Sequence, residues 1–345
     1  MTKLPAFGLN RLDHRSPRHF AAEARRAEDL GWDYAFIPSS PLRRQDPYVN
    51  IAFALEATKR ICVGPLIETP MMRHWSVMAS SISTVEALAP GRSLLAYGVG
   101  DTAVRLLGKR PARVAELEEA TVLTKRLLNG EEVEVGAAKP AKLGHAMPVP
   151  IWIAAGGPKT LRMSGRVADG VFIRVGRHEA NIRKSIDAVR AGAEEAGRNP
   201  DEVKIAIILH TILTDDAQAA RLMSLSMAAG YYEYSPMLFD PPGFSWDGPD
   251  IHELKKQVWP DFHHALDLEA SGRLVSFLSD EIGDAFAVYG TPDMIAEQIA
   301  GVLNIGYPID MIIPHPVPTP EPDGPKPDYM ERFATEVIPL LKAQL

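Results

Sequence analysis

Residues 93–108 read SLLAYGVGDTAVRLLG. An apolar run leads into Gly98, Gly100 and Ala103, spaced as G-x-G-x-x-A, the turn that opens a dinucleotide-binding strand–helix unit. Such a turn needs a helix that begins at the third small residue and an acid that ends the next strand about 20 residues on. Here Gly108-Lys109-Arg110-Pro111 interrupts any helix begun at Ala103. The stronger helical pattern starts around Pro111, with Val114, Leu117, Val122, Leu127 and Leu128 as its apolar stripe. The acids at the right distance, Glu116, Glu118 and Glu119, fall inside that helix instead of at a strand end. The fingerprint is a decoy, and the rest of the chain has to say what fold it belongs to.

Outward from that stretch, short apolar runs recur at 6–9, 34–38, 61–67, 93–100, 150–157, 170–176, 203–210 and 309–316. Each has the length and composition of a strand buried on both faces. Helical patterns lie between them. Ser16-Pro17 supplies a cap and a first-turn proline, Phe20, Ala24, Ala27 and Leu30 form one face, and Gly31 stops the helix. Strands alternating with helices predict a mostly parallel sheet, and eight units predict a closed (β/α)8 barrel. Polar or glycine residues follow most of the runs: Ser39-Ser40, Glu68-Thr69, Gly98 to Asp101, Gly156-Gly157, Arg174, His210 and His315. A barrel gathers such ends at one mouth, whereas an open sheet concentrates them at one switch point.

The whole chain, 1–345, is read as one barrel domain. Residues 231–285, beginning YYEYSPMLFDPPGFSWDGPD, stand outside the repeat as an insertion after the seventh strand, either a lid at the mouth or a surface excursion packed on its own aromatics. The proline-rich 313–328 is expected to be an extended connection to a C-terminal helix at 329–345.

A net charge of −7 argues against nucleic-acid and anionic-membrane partners, which reward clustered Lys and Arg. The single cysteine, Cys62, sits in an apolar run and reads as a core residue; no disulfide framework or cysteine-rich zinc site is possible. With no signal-peptide pattern in MTKLPAFGLNRLDHRS and no apolar run near membrane length, the expectation is a cytoplasmic protein.

Chemistry is suggested first at AAGGPKTLRMSGR, 154–166. A strand ends at Gly156-Gly157, and Pro158 fits the first position of a helix whose free N–H groups can face an anion. The alternative is a tight strand–helix turn without a ligand. Glu68 is either an acid that works on a substrate or a rim carboxylate paired with Arg43, Arg44 or Arg73. His74, at the start of the third helix, is either a proton carrier or a surface residue, and Met71, Met72 and Trp75 either wall a pocket or belong to the core. His210 and His315 point at a ligand or into the barrel floor. His252, His263 and His264 lack a metal-binding pattern, so no metal site is expected. No G-x-S-x-G elbow is present.

Three blocks together, 63–92, 98–120 and 150–171, resemble the bacterial luciferase-like superfamily of flavin and deazaflavin oxidoreductases. The likeness is greatest to its methylenetetrahydromethanopterin reductase-like branch, which uses coenzyme F-420. The resemblance implies a (β/α)8 barrel, a homodimer, a small-molecule substrate and hydride transfer. The cofactor implied is F-420, with FMN in a luciferase-like monooxygenase as the alternative and a non-catalytic flavin-binding barrel as a third reading. It implies that Gly98 and Gly100 let the strand end approach the flat ring, that Asp101 lies near the ring or substrate, and that Gly156, Gly157 and Pro158 hold the phosphate with Lys159 and Thr160. It also implies a cis peptide and bulge in Val63-Gly64-Pro65-Leu66-Ile67 at the ring's back face. One departure stands out: where many deazaflavin-dependent relatives have Asp-His, this chain has Ser40-Pro41, while a later acid survives as Asp46. Asp101, Glu68 and His74 are the nearest replacements for the missing proton carrier.

Overall fold

The computed structural model describes residues 4–10, 12, 15–318 and 328–345. The nine strands among them are β1 (Ala6–Leu9), β2 (Tyr34–Ile37), β3 (Cys62–Pro65), β4 (Leu95–Tyr97), β5 (Ile151–Ala155), β6 (Gly170–Ile173), β7 (Lys204–Leu213), β8 (Val288–Gly290) and β9 (Met311–Pro316). The eight expected strands are all present, as β1–β7 and β9, with helices between them in the (β/α)8 repeat. Sequence reading missed β8, a three-residue strand that pairs in parallel with the end of β7, Thr211 opposite Val288 and Leu213 opposite Gly290. It is too short to show a pattern.

Two compact units are distinguished by packing. The larger comprises Ala6–Phe172 and Ala188–Ala206; the second comprises Met1–Pro5, Ile173–Asp187 and Ile207–Leu345.

In the larger unit β1, β2 and β3 run parallel, Gly8 opposite Tyr34 and Tyr34 opposite Cys62. β4 and β5 are parallel too, Tyr97 opposite Ile153. Bridges Val63–Ser93 and Glu68–Tyr97 join β3 to β4. Strand interiors are buried, which is why they read as continuous apolar runs instead of alternating ones. Phe172 packs against Trp152 and Phe36, ring centroids 5.0 and 5.6 Å apart. The first helix, Pro17–Asp29, starts as expected: the Ser16 hydroxyl accepts from the His19 N–H, Pro17 is its first residue, and Gly31 beyond its end has φ +92°. Glu28 near its end accepts from the N–H groups of Lys59, Arg60 and Ile61 and so ties the helix to the entry of β3. Burial alone would raise this carboxyl; the three backbone donors outweigh it and hold the group below its ordinary range. Cys62 is half-buried, less enclosed than its apolar surroundings suggested.

In the second unit β9 and β8 both lie beside β7. Helix Ala217–Tyr234 extends four residues into the stretch read as an insertion, so the excursion proper starts at Ser235. It is not structureless: it carries helices Ile251–Lys255, Leu268–Leu274 and Asp280–Phe286. Its aromatics do pack together, Tyr232 stacked on Trp246 at 4.4 Å and Phe277 edge-on to Trp246 at 5.1 Å. The C-terminal helical segment spans Tyr329–Gln344 with a π turn at Phe333–Val337, just before Pro339, whose ring offers no N–H to the helix ladder. Of the proline-rich connection, 319–327 lie outside the described residues, as do 1–3, 11, 13 and 14 of the N-terminal stretch. Among the described residues no helix is long and apolar enough to cross a membrane.

Candidate active site

Strand pairing in the larger unit brings the carboxyl ends of β2, β3, β4 and β5 to one edge. The chain leaves β3 through a cis peptide between Leu66 and Ile67. The expected cis bond is thus present, one residue past Pro65, and Gly64–Pro65 is trans. Beyond it Glu68 re-enters the ladder: its N–H donates to Ala96 O at 2.8 Å, and its own carbonyl accepts from Gly98 N–H at 3.0 Å. The Thr69 hydroxyl donates to Val99 O at 3.2 Å and the Lys109 ammonium to Met71 O at 3.0 Å, so the turn after β3 is pinned to the turn after β4.

Those bonds aim Glu68 inward. The residue is 1% exposed, and neither carboxyl oxygen makes a hydrogen bond of good geometry. The Arg73 Nε stands 3.9 Å away, but its guanidinium is engaged by Asp46 at 2.6 Å. Asp46 also caps helix Pro47–Ala57, accepting from Tyr48 and Val49 N–H. Desolvation pushes the Glu68 carboxyl from 4.5 up to about 7; Arg73, the nearby Ser39 hydroxyl and the Thr69 N–H pull the other way without prevailing. Of the two readings of Glu68, the pairing with Arg73 is seen at 3.9 Å, but on a carboxyl that is buried instead of standing on a rim. Arg73 lies over the Tyr48 ring at 5.0 Å from its centroid. The Tyr48 phenol is itself buried without a partner, and burial, then Glu68, raises its pKa. Sequence reasoning passed over Tyr48, since a tyrosine in a first helical turn gives no pattern signal.

The other expected residues separate. Asp101 is exposed and paired with Arg105 one helical turn on, at 2.5 Å. His74 is exposed and caps helix Trp75–Glu86, accepting from the Ser76 N–H, with its ring 4.6 Å from Trp75. Ser40 heads a tight turn in which its carbonyl accepts from Arg43 and Arg44 N–H. The glycines of the opening stretch have protein reasons for being there. A Cβ at Gly98 would stand 2.2 Å from Ile67 Cδ1, and Gly100 has φ +81° with Val104 and Thr69 crowding the same position. A Cβ at Gly64 would meet the Leu94 carbonyl oxygen at 2.1 Å. The close approach expected at Gly98 is therefore to a neighbouring side chain of the turn after β3.

Gly157 differs. It stands at the N-cap of helix Pro158–Val167, no side chain caps that helix, and a Cβ there would meet nothing within 4 Å. Lys159 is exposed and Thr160 half-buried beside it. An uncapped ten-residue helix with open space at its N-terminus fits a phosphate. Among the described residues no cluster could hold a metal ion.

Comparison with known proteins bears on the same features. The family model described as luciferase-like monooxygenase matches residues 3–307. A 5,10-methylenetetrahydromethanopterin reductase from Methanolobus tindarius is 27% identical over 87% of this chain and 91% of its own length. An F-420-dependent glucose-6-phosphate dehydrogenase from Intrasporangium calvum is 27% identical over 94% and 95%. In three dimensions, the coenzyme F-420-dependent tetrahydromethanopterin reductase from Methanopyrus kandleri superposes with a TM-score of 0.77 at 22% identity, covering 98% of this chain and 99% of that one. That likeness establishes the (β/α)8 barrel.

Proposed function

The chain belongs to the luciferase-like monooxygenase family, and we propose that it is an oxidoreductase moving a hydride between coenzyme F-420 and a small organic substrate. The F-420-dependent glucose-6-phosphate dehydrogenase, matched over 95% of its length, supports the cofactor. The observation that carries the chemistry is Glu68, a buried carboxyl poised near neutrality at the end of β3.

F-420, when bound, supplies the hydride acceptor or donor. The remaining work falls to this chain. Gly156, Gly157 and Pro158 hold the phosphate with the free N–H groups of the helix start, and Lys159 adds charge from solvent. Gly64, Pro65 and Leu66 shape the back of the site, and Gly98 and Gly100 close its floor by admitting the Ile67 and Thr69 side chains. Glu68 holds or releases one proton on its carboxyl oxygen as a substrate carbon is oxidised or reduced, a role for which a pKa near the working pH is best suited. Asp46 keeps Arg73 from neutralising it. This replaces the Asp-His absent at Ser40-Pro41. Asp101 and His74 act as local structural residues, the first in its pair with Arg105 and the second as a helix cap.

A homodimer fits the surface: Val49, Phe53 and Val77 are exposed apolar residues on neighbouring helices. Sedimentation tests it, a monomer at micromolar concentration counting against it.

Titrating purified protein with F-420 and with FMN, following fluorescence quenching, and then assaying reduction of bound F-420 by a panel of alcohols and aldehyde hydrates tests the function. Quenching by FMN alone, or F-420 binding without turnover in either direction, would overturn it.

A further inference from the structure

Glu68 and Arg73 belong to one turn after β3, in which the Met72 and Arg73 N–H groups bond back to Thr69 O. An arginine so placed has the reach to close on the carboxylate with paired hydrogen bonds of about 2.7–2.9 Å. It does not: its Nε stops 3.9 Å from Glu68 Oε1. The reason lies in the neighbouring helix, Pro47–Ala57, which takes hold of the guanidinium twice. Asp46, its cap, uses Oδ1 for the Tyr48 and Val49 N–H groups and Oδ2 for Arg73 Nη2 at 2.6 Å. Tyr48, in the first turn, lays its ring against the guanidinium, 5.0 Å from centroid to Cζ.

The two holds differ in kind. The Arg73 and Asp46 side chains are 27% and 42% exposed, so their ion pair is screened by solvent and by itself holds the arginine loosely. The Tyr48 side chain is buried in the core and presents a fixed wall. A cation is attracted to the face of such a ring within about 6 Å, more strongly as water is excluded. The phenol hydroxyl adds nothing to this, being buried with no hydrogen-bond partner. Burial, then the charge of Glu68, keeps its pKa well above the ordinary phenol range, so it stays neutral. Tyr48 therefore acts on its surroundings through the ring.

Beyond burial, the charged groups acting on Glu68 are Arg73, which favours its ionised form, and Asp46, which opposes it. The nearby Ser39 hydroxyl and the Thr69 N–H work on the side of Arg73. Tyr97 in β4 feels Glu68 but is held neutral by burial, its hydroxyl bonded to Thr124. Arg73 is the cation among these groups, so its distance decides how much positive charge the carboxyl meets.

We propose that Tyr48 is a positioning residue: its ring, together with Asp46, holds the Arg73 guanidinium off Glu68 and so keeps that carboxyl able to carry a proton. The catalytic consequence rests on the reading of Glu68 as proton carrier, whereas the placement of Arg73 is measured without substrate or cofactor.

The test follows the Glu68 carboxyl carbon by NMR through a pH titration of the full chain, its resonance assigned by its loss in Glu68→Gln. Tyr48→Phe keeps the ring and should keep the wild-type midpoint. Tyr48→Leu removes the ring face, lets Arg73 close on Glu68 and should lower the midpoint by about one pH unit or more, the effect of an opposite charge brought into contact. Water entering the vacated space would lower it too, so Tyr48→Leu is repeated on Arg73→Gln, where it should shift nothing. An unmoved midpoint in Tyr48→Leu, an equal shift in Tyr48→Phe, or a shift that survives Arg73→Gln overturns the proposal. If Tyr48→Leu does not fold, the wild type and Tyr48→Phe decide. Arg73 guanidinium resonances displaced by the ring current in both uphold the contact, and resonances at free-arginine positions refute it. The pH profile of kcat separates this proposal from the reading it rests on. A limb that moves down with the carboxyl midpoint in Tyr48→Leu upholds both, while a profile that stays as the midpoint moves upholds the placement of Arg73 and refutes Glu68 as the proton carrier.

Discussion

Replacing Glu68 with glutamine isolates the charge of one carboxyl while keeping its shape. In the folded protein that carboxyl is enclosed, without a good hydrogen bond, and desolvation moves it from 4.5 to about 7. The folded chain then keeps a proton that the unfolded chain releases over this interval. Wild-type stability accordingly falls as pH rises from 4.5 to about 7 and levels off above it. Glutamine is neutral throughout and suffers no such loss. Between pH 5 and pH 8 the variant should gain about 2.5 kcal/mol on the wild type, from 1.36 kcal/mol for each pH unit crossed between the two pKa values. Urea denaturation of both proteins at four pH values measures the difference directly, and subtracting the curves removes every other titrating group. A difference that stays constant within about 0.5 kcal/mol would mean that Glu68 is ionised and well solvated in the fold, and the proton-carrier assignment would fall with it. Activity gives a second readout: the variant should lose turnover more than cofactor binding.

The remaining predictions follow from the same geometry. Asp46→Asn keeps a helix cap, releases Arg73 towards Glu68 and removes a neighbouring negative charge, so the pH midpoint of the Glu68 effect should move down, read from the same denaturation series. Gly64→Ala forces a Cβ against the Leu94 carbonyl oxygen, a backbone atom that cannot turn aside, and should destabilise by about 2 kcal/mol or more in thermal melting. Gly157→Ala meets open space at an ordinary backbone conformation, so the cofactor-free protein should melt within a degree or two of wild type. The same methyl group would occupy the space assigned to the phosphate, and F-420 affinity should fall by about tenfold, roughly 1.4 kcal/mol.

Order and type of the elements were set by local sequence. Eight strands buried on both faces need eight continuous apolar runs, and helix starts such as Ser16-Pro17 and Gly157-Pro158 are written in neighbouring residues. The decoy at Gly98–Ala103 could be dismissed from the chain alone, because Gly108 and Pro111 end any helix there. Tertiary structure decided what no spacing reveals. Glu68, Asp101 and His74 are three plausible acids or bases in sequence, yet only the β3–β4 ladder encloses Glu68, while the other two reach solvent and local partners. Gly98 reads as room for a ligand until Ile67, thirty-one positions earlier, is found occupying that room. Arg174, His210 and His263 are scattered over ninety residues and meet through packing of the excursion. Helices and strands follow from neighbours along the chain, whereas desolvation and charge depend on which distant atoms exclude water, and those are known only once the chain has folded.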